Sequence, residues 1–226
     1  MTEKLKYAII GAGCMGQEHI LNIEIIDDAE VVALCDTSEK SIKESLDLLN
    51  NDVAIFDNYI DLVEANIADA FIIATPNFTH IEVLKEVMKS EAHLLIEKPL
   101  CTTVKDCQEF EKLAVDYPGV IWTAMEYRYM PPVQRMIKEI HNKTIGDLKM
   151  LSIREHRFPF LHKVDDWNRF AIKTGGTLVE KCCHFFDLMR LIAQSEPLKV
   201  YASGGQDVNH LEETYDGETP DILDNA

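Results

Sequence analysis

The most informative part of this sequence is Tyr7-Ala-Ile-Ile-Gly-Ala-Gly-Cys-Met-Gly16. Its apolar start is typical of a buried strand, its glycines match G-x-G-x-x-G, and helical apolar spacing follows at Ile20 and Ile23. Strand, tight turn and helix in this order favour a nucleotide-binding βα unit. A lone match is weak, because such glycines also occur in plain tight turns, so the rest of the chain has to supply the context.

The strand–helix unit recurs along the first half of the chain. The sequence predicts further strands at 31–35, 53–56, 70–74, 93–96 and 120–124, and further helices at 38–49, 60–65, 80–90 and 104–116. Strands that are apolar throughout, rather than alternately apolar and polar, indicate a parallel sheet covered by helices on both faces. We therefore predict a six-stranded, doubly wound α/β domain of the Rossmann type over residues 1–125.

The pattern changes after Met125. Two prolines, at 131 and 132, open a predicted helix that runs to about Asn142. Predicted strands at Leu148–His156 and Leu198–Ala202 enclose an irregular stretch and a long helix from Thr177 to Ala193. The pattern therefore predicts that residues 126–226 form a second domain of the α+β class.

Composition and charge exclude several classes of function. The 226 residues carry 22 Lys and Arg against 39 Asp and Glu, a formal net charge of -17 that repels nucleic acid and anionic membrane surfaces. Neither a signal peptide nor a membrane span is predicted, because no apolar run is long enough. The six cysteines include no C-x-x-C pair and indicate a reducing compartment, so we expect a cytoplasmic location.

Asp36 gives the glycine motif its context. It ends the second predicted strand, twenty positions after Gly16, as the acidic residue of a dinucleotide fingerprint does. Gly11, Gly13 and Gly16 would let backbone N–H groups approach a pyrophosphate, and the Asp36 carboxylate would accept hydrogen bonds from ribose hydroxyls. The same carboxylate would repel the 2′-phosphate of NADP, so we expect NAD. The alternative is a simple turn beside an exposed carboxylate.

Polar residues also follow the fourth and fifth predicted strands, at the sheet edge where α/β sheets bind ligands. After the fourth strand, the simpler interpretation makes Asn77 an N-cap and His80 a first-turn residue of the next helix. After the fifth strand, Glu97 and Lys98 could form a surface ion pair. Alternatively, Lys98 could be placed to reach a bound substrate. Spacing alone leaves both interpretations open.

Three polar residues share one face of the predicted helix Thr177–Ala193. Glu180, His184 and Asp187 stand at i, i+4 and i+7, which could be a binding face or only a solvated one. Cys182, Cys183 and His184 do not predict zinc, because neighbouring helix positions point in different directions and the sequence shows no second ligand pair. No metal site is therefore expected.

In this order, the motifs resemble the Gfo/Idh/MocA oxidoreductases, which include inositol and sugar dehydrogenases. The resemblance covers the whole chain, and Glu97-Lys98-Pro99 together with Glu180-x-x-x-His184 is specific in combination. It implies a Rossmann domain that binds NAD, followed by a domain with an open, mostly antiparallel sheet, with substrate between them. The cofactor-binding residues that it implies are Gly11, Gly13, Cys14, Met15, Gly16, Asp36, Thr75, Pro76, Asn77, His80, Glu97 and Lys98.

The resemblance also implies catalytic roles. Lys98 would lie beside the reacting hydroxyl as acid and base, His184 would orient that hydroxyl or relay its proton, and Glu180 would fix the imidazole tautomer. Arg128 and Pro131 would belong to the segment that crosses between the domains. The expected function is an NAD-dependent oxidoreductase that transfers a hydride between nicotinamide and a hydroxyl-bearing carbon of a polyol, cyclitol or sugar-like substrate. The alternative is an NAD-binding regulatory or catalytically impaired family member.

Two features depart from the family pattern. Members usually carry Asp where this chain has Glu180, and a small residue near Cys182. The family's second domain normally continues with further strands, so we expect residues 126–226 to be a partial domain. For a complete chain the resemblance implies a homo-oligomer.

Overall fold

The chain divides into two compact units in a computed structural model that describes residues 4–226. The first unit ends at Ala124 and the second begins at Met125. The first contains one parallel sheet of six strands, in the order β3-β2-β1-β4-β5-β6. The strands are β1 Leu5–Ile10, β2 Ala29–Cys35, β3 Ala54–Phe56, β4 Ala70–Ile73, β5 His93–Ile96 and β6 Ile121–Thr123.

Five α-helices connect these strands and cover both faces of the sheet. They are α1 Cys14–Glu24, α2 Glu39–Leu46, α3 Tyr59–Glu64, α4 His80–Val87 and α5 Val104–Ala114. Successive residues of a strand point to opposite faces, and Ile72 and Ile73 of β4 accordingly enter two different apolar clusters, each almost fully buried. Two consecutive residues of one strand are both buried only if helices cover both faces of the sheet. The predicted doubly wound Rossmann-type domain is confirmed.

The strand order places the direction change of the chain at β1. From this central strand the chain continues outward through β2 and β3, and then returns to β4 on the other side. In open parallel sheets, such a switch leaves a crevice outside the carboxyl ends of the strands, where ligands bind. The glycine motif follows β1 at this edge, and the polar residues after β2, β4 and β5 lie at the same edge.

The second unit is built from four α-helices and two 3₁₀ segments. The helices are α6 Pro131–His141, α7 Ala171–Thr174, α8 Thr177–Glu180 and α9 Cys183–Ala193, and the 3₁₀ segments are Glu126–Tyr129 and Val164–Arg169. Helix α6 confirms the helix predicted from the two prolines. Within residues 4–226, no helix has both the length and the apolar composition that crossing a membrane requires.

The single long helix predicted from Thr177 to Ala193 is wrong. The chain forms α8 and α9 with a break at Lys181 and Cys182, whose backbone N–H groups both donate to the carbonyl of Thr177. The regular ladder restarts only where Phe185 and Phe186 donate to the Cys182 carbonyl. Apolar periodicity did not reveal the break, because the spacing of the buried side chains continues across it.

The strands predicted at Leu148–His156 and Leu198–Ala202 are also wrong for this structure. Across the described residues 125–226, the β contacts are two isolated bridges, Gly205 with Asn225 and Tyr215 with Glu218. A strand is stable only when a partner satisfies its backbone groups and covers its apolar face, and Leu198 is 99% exposed. Both segments do alternate apolar and polar residues, but neither forms a ladder of hydrogen bonds with another strand among the described residues.

Candidate functional site

The glycine motif is held in a tight turn that leaves one side of the loop open. Gly11 adopts φ +97°, and a Cβ there would lie 2.6 Å from the Ala74 carbonyl oxygen. A Cβ on Gly16 would lie 2.1 Å from the Gly11 oxygen. Around Gly13, by contrast, a Cβ would meet nothing within 4 Å, and Gly13 is the N-cap of α1. This open helix N-terminus fits the close approach of a pyrophosphate.

Asp36 is tied to that loop. Its Oδ2 accepts the backbone N–H of Ala12 at 2.7 Å, and its Oδ1 accepts that of Ser38 at 2.8 Å. The Ser45 hydroxyl, on α2, donates to the Ala12 carbonyl at 3.0 Å and anchors the loop from the other side. Since a carboxylate offers about four acceptor positions, Asp36 retains capacity for ribose hydroxyls. The side chains of Cys14 and Met15, between the glycines, are exposed and half-buried respectively.

The residues after β4 are more buried than a simple helix start requires. Asn77 begins a 3₁₀ turn, Asn77–Thr79, and α4 itself begins at His80, so the N-cap interpretation of Asn77 is wrong. Thr75 is fixed by a hydrogen bond from the Thr79 hydroxyl at 2.8 Å. This turn, with Pro76 at its start, shapes the sheet edge beside the glycine motif.

His80 is fully buried and lies between two loops. Its Nε2 is 3.0 Å from the Thr75 carbonyl oxygen, and its Nδ1 is 3.0 Å from that of Pro99 and 3.3 Å from that of Leu100. Burial lowers the pKa of His80, although the three carbonyls oppose this. The ring therefore links the segment after β4 to the segment after β5. This is a role in holding the loops, which the sequence interpretation missed.

Glu97 is a buried carboxylate, with 6% exposure, rather than half of a surface ion pair. Its Oε1 lies 2.8 Å from Nε2 of His19, and its Oε2 accepts the backbone N–H of Lys98 at 3.2 Å. Burial alone would raise the pKa of Glu97, but the hydrogen bond and charge of His19, together with the charge of Lys98, outweigh it and lower the pKa. The Lys98 side chain is half-buried at the same sheet edge.

In the second unit, Glu180 and His184 are both buried, with 3% exposure each. Glu180 closes α8, and its Oε1 lies 3.2 Å from Nζ of Lys181. His184 lies in the first turn of α9, with its Nε2 3.4 Å from Oε1 of Glu126. Tyr127 stacks on the His184 ring, with 4.2 Å between ring centroids. A buried carboxylate and a buried imidazole thus lie on either side of the helix break, the first beside the Lys181 ammonium group and the second beside the Glu126 carboxylate.

Asp187 serves a different purpose from the one its helical spacing suggested. It forms a two-pronged ion pair with Arg128, which fastens the segment Glu126–Tyr129 to α9. Lys181, to which the sequence assigned no role, pairs with Glu180 and lies over the Phe160 ring at 4.8 Å.

Sequence reasoning missed four residues around these groups, namely His19, Ser45, Glu126 and Tyr127. A usable signal existed for His19 alone, which stands three positions after Gly16 and so one turn further along α1. The others are brought in by tertiary packing. Within residues 4–226, no group of three His, Cys, Asp or Glu side chains is arranged to hold a metal ion.

Known proteins share this architecture. The chain is 26% identical over 200 residues to myo-inositol 2-dehydrogenase of Thermotoga maritima, covering 88% of this chain and 58% of that protein. The solved myo-inositol 2-dehydrogenase of Lactobacillus plantarum has 21% identity and a TM-score of 0.71, over 86% of this chain and 58% of that one. Scyllo-inositol dehydrogenase of Lactobacillus casei, solved with bound NAD(H) and scyllo-inositol, has 15% identity and a TM-score of 0.69, over 85% and 57%. This chain spans less than two thirds of each.

Two family profiles match the two units separately. The profile described as "Oxidoreductase family, NAD-binding Rossmann fold" matches residues 5–125, and that described as "Oxidoreductase family, C-terminal alpha/beta domain" matches residues 137–222. The first match contains the glycine motif, Asp36 and Lys98, and the second contains Glu180 and His184. The chain therefore belongs to the Gfo/Idh/MocA oxidoreductase family.

Proposed function

We propose that the protein is an NAD-dependent oxidoreductase acting on a hydroxyl-bearing carbon of a polyol, cyclitol or sugar-like substrate. The observation that carries this proposal is the glycine loop, whose open helix N-terminus is tied to an acceptor carboxylate at the switch point of a parallel sheet. The names of the inositol dehydrogenases similar to this chain support the substrate class. We further propose a reducing, cytoplasmic setting and a homo-oligomer for the complete protein.

The first unit would hold the cofactor. Backbone N–H groups at the start of α1 would bind the pyrophosphate, and Asp36 would accept the ribose hydroxyls while disfavouring a 2′-phosphate. Thr75, Asn77 and the Glu97 segment would line the nicotinamide side of the crevice, at the carboxyl ends of β4 and β5. When bound, NAD supplies the hydride chemistry itself.

Lys98 would supply the route for the hydroxyl proton. Lys98 is half-buried, and its backbone N–H donates to the Glu97 carboxylate, which holds the main chain of Lys98 at the sheet edge. In the oxidation direction the Lys98 amine would accept the proton of the substrate hydroxyl, and in reduction it would return it.

Glu180 and His184 of the second unit would orient the substrate. A polyhydroxy substrate needs buried donors and acceptors, and these two side chains offer both types, with Tyr127 fixing the plane of the His184 ring. The family usually has Asp at the position of Glu180, so this carboxylate reaches one methylene further into its surroundings. We propose that this difference affects which hydroxyl pattern is accepted.

The experiment compares Lys98→Met with Lys105→Met, a matched change at an exposed lysine of α5. NAD affinity is measured by titration, and turnover by NADH absorbance with inositols, sugars and diols. We expect Lys98→Met to lower kcat by about 10² to 10⁴-fold while leaving NAD affinity nearly unchanged. Near-normal turnover of Lys98→Met would remove the acid/base role. NAD binding with no turnover of any substrate by the full-length protein would favour a regulatory member instead.

A further inference from the structure

The Glu97 carboxylate joins helix α1 to the main chain of the residue proposed to move the proton. Its Oε1 lies 2.8 Å from Nε2 of His19, whose side chain is 17% exposed, and its Oε2 accepts the backbone N–H of Lys98 at 3.2 Å. The Glu97 main chain is itself fixed, because its N–H donates to the Ile73 carbonyl of β4 at 2.9 Å. One side chain thus holds the start of the segment that carries Lys98 and contacts a helix residue 78 positions earlier in the chain.

The His19 contact stabilises the carboxylate in the form that accepts this N–H. A carboxylate that is 6% exposed is costly to bury unless donors or positive charges lie beside it. Burial acts to raise the pKa of Glu97, but the hydrogen bond and charge of His19, followed by the charge and backbone N–H of Lys98, outweigh burial and lower the pKa. Loss of the His19 ring would therefore favour protonation of Glu97 or its movement towards water, and both change the acceptor that faces the Lys98 N–H.

The other end of the segment is held separately. Nδ1 of the buried His80 lies 3.0 Å from the Pro99 carbonyl oxygen and 3.3 Å from that of Leu100. The Lys98 side chain therefore extends from a main chain that has contacts on both sides, and one of these contacts depends on His19. Since a displacement of about 1 Å at a reacting group can cost about 10² in rate, a residue that fixes this main chain affects turnover without touching the substrate.

We propose that His19 is a positioning residue for Lys98, acting through the Glu97 carboxylate to fix the main chain from which the lysine side chain extends. The proposal rests on the acid/base role proposed above for Lys98, and it differs from two simpler roles. If His19 only stabilised the fold, its loss would lower stability and leave kcat of the folded protein unchanged. If His19 bound the cofactor, its loss would instead weaken NAD binding.

Amide hydrogen exchange tests the main-chain contact without requiring activity. The unmodified chain and His19→Ala are prepared with isotope-labelled lysine, and exchange of the Lys98 N–H is followed by NMR under conditions in which both are folded. We expect this N–H to exchange about three- to tenfold faster in His19→Ala, because its acceptor is no longer held. The Lys89 N–H, which donates to the Glu86 carbonyl, is the internal reference and should exchange at the same rate in both proteins.

Steady-state kinetics of the full-length protein test the consequence for turnover. The substrate is the inositol, sugar or diol that the unmodified protein oxidises fastest. We expect His19→Ala to lower kcat by about 10- to 100-fold, with KM and the dissociation constant of NAD changed less than about twofold. His19→Gln retains an N–H donor and should recover most of the lost kcat. His19→Leu keeps the volume without a donor, so it should behave as His19→Ala and replaces it if alanine prevents folding. Asn22→Ala, a change at an exposed residue of the same helix, is the matched control.

Several outcomes would overturn the positioning role. Unchanged exchange of the Lys98 N–H in His19→Ala would show that His19 does not fix this main chain, and faster exchange with an unaltered kcat would show that turnover does not depend on it. Weaker NAD binding with an unaltered kcat would assign His19 to the cofactor. Absence of turnover by the unmodified full-length protein would overturn the proposed function and the positioning role together, and the exchange measurement separates that case from failure of the His19 contact itself.

Discussion

Nε2 of His19, on the helix that follows the glycine motif, lies 2.8 Å from Oε1 of Glu97, the residue that precedes Lys98. This contact joins two segments 78 positions apart in the chain. It places a partly buried hydrogen bond between the helix after the loop proposed to bind NAD and the neighbour of the lysine proposed to move the proton. The contact therefore attaches α1 to the residue next to Lys98.

We expect His19→Ala to lower the free energy of unfolding by about 1.5 to 3 kcal/mol, because the buried Glu97 carboxylate loses its side-chain donor. Denaturant unfolding measures this change. The loss should be smaller in a Glu97→Gln background, since an amide is cheaper to bury than a carboxylate. Equal losses in the two backgrounds would show that the His19–Glu97 contact contributes nothing specific.

Replacement of Asp36 should change cofactor preference. We expect Asp36→Ala to weaken NAD binding and to narrow the preference for NAD over NADP, because both the ribose acceptor and the repulsion of a 2′-phosphate are lost. Isothermal titration with each dinucleotide measures the two dissociation constants.

Asp36→Ala also releases the Ala12 N–H, so a control has to disturb the same loop without removing the carboxylate. Ser45→Ala meets this need, because it removes the hydrogen bond to the Ala12 carbonyl. Ser45→Ala should weaken the binding of NAD and the binding of NADP to a similar degree. Tighter binding of NADP than of NAD by the unmodified chain would reject the assignment of Asp36.

His80 should make stability fall as pH drops below its usual pKa of 6.5. Burial lowers its pKa in the folded state, so the unfolded chain takes up the proton first, and the stabilisation present above pH 6.5 is lost as pH falls through the lower folded pKa. We expect the free energy of unfolding, plotted against pH over this range, to have a smaller slope for His80→Gln than for the unmodified chain.

The exposed His156 provides the comparison for His80, since His156→Gln should leave the slope unchanged. A steeper loss of stability in His80→Gln than in the unmodified chain would mean that the three carbonyls hold the ring protonated. The direction of the slope thus decides between burial and the surrounding acceptors.

Glu213 should contribute to the acid stability of the second unit. The hydrogen bond from His210, with further ones from Tyr215 and the buried Arg169, lowers the pKa of Glu213 from 4.5 to about 2. Its stabilising contribution is therefore present above pH 4.5 and is lost as pH falls from 4.5 towards 2.

Trp167 fluorescence, in a Trp122→Phe background, follows the unfolding of the second unit alone. Glu213→Gln should flatten the pH dependence in that window, whereas a change at the exposed Glu212 should not; an unaltered profile in Glu213→Gln would contradict the prediction.

The first unit was largely predictable because its signals are local. Continuous apolar runs specify strands buried on both faces, and Gly11 is required where the backbone adopts a positive φ beside Ala74. Asp36 is recognisable from its distance along the chain, since that distance reflects one strand–helix–strand unit. The resemblance to the family rested on the same short motifs, and both family profiles confirm it.

The βα order, the glycine turn and the set of polar residues at the sheet edge thus follow from local sequence patterns. The partners of those residues follow only from the packing of distant segments: Glu97 contacts His19, Asp36 contacts Ala12, and His80 contacts the carbonyls after β5. Tertiary structure also decided the break at Lys181 and the absence of a ladder at Leu198–Ala202 among the described residues. Periodicity reports which side of a segment is apolar, but a hydrogen-bond partner or a neighbouring strand comes from a distant part of the chain. Its presence therefore depends on how the whole chain packs.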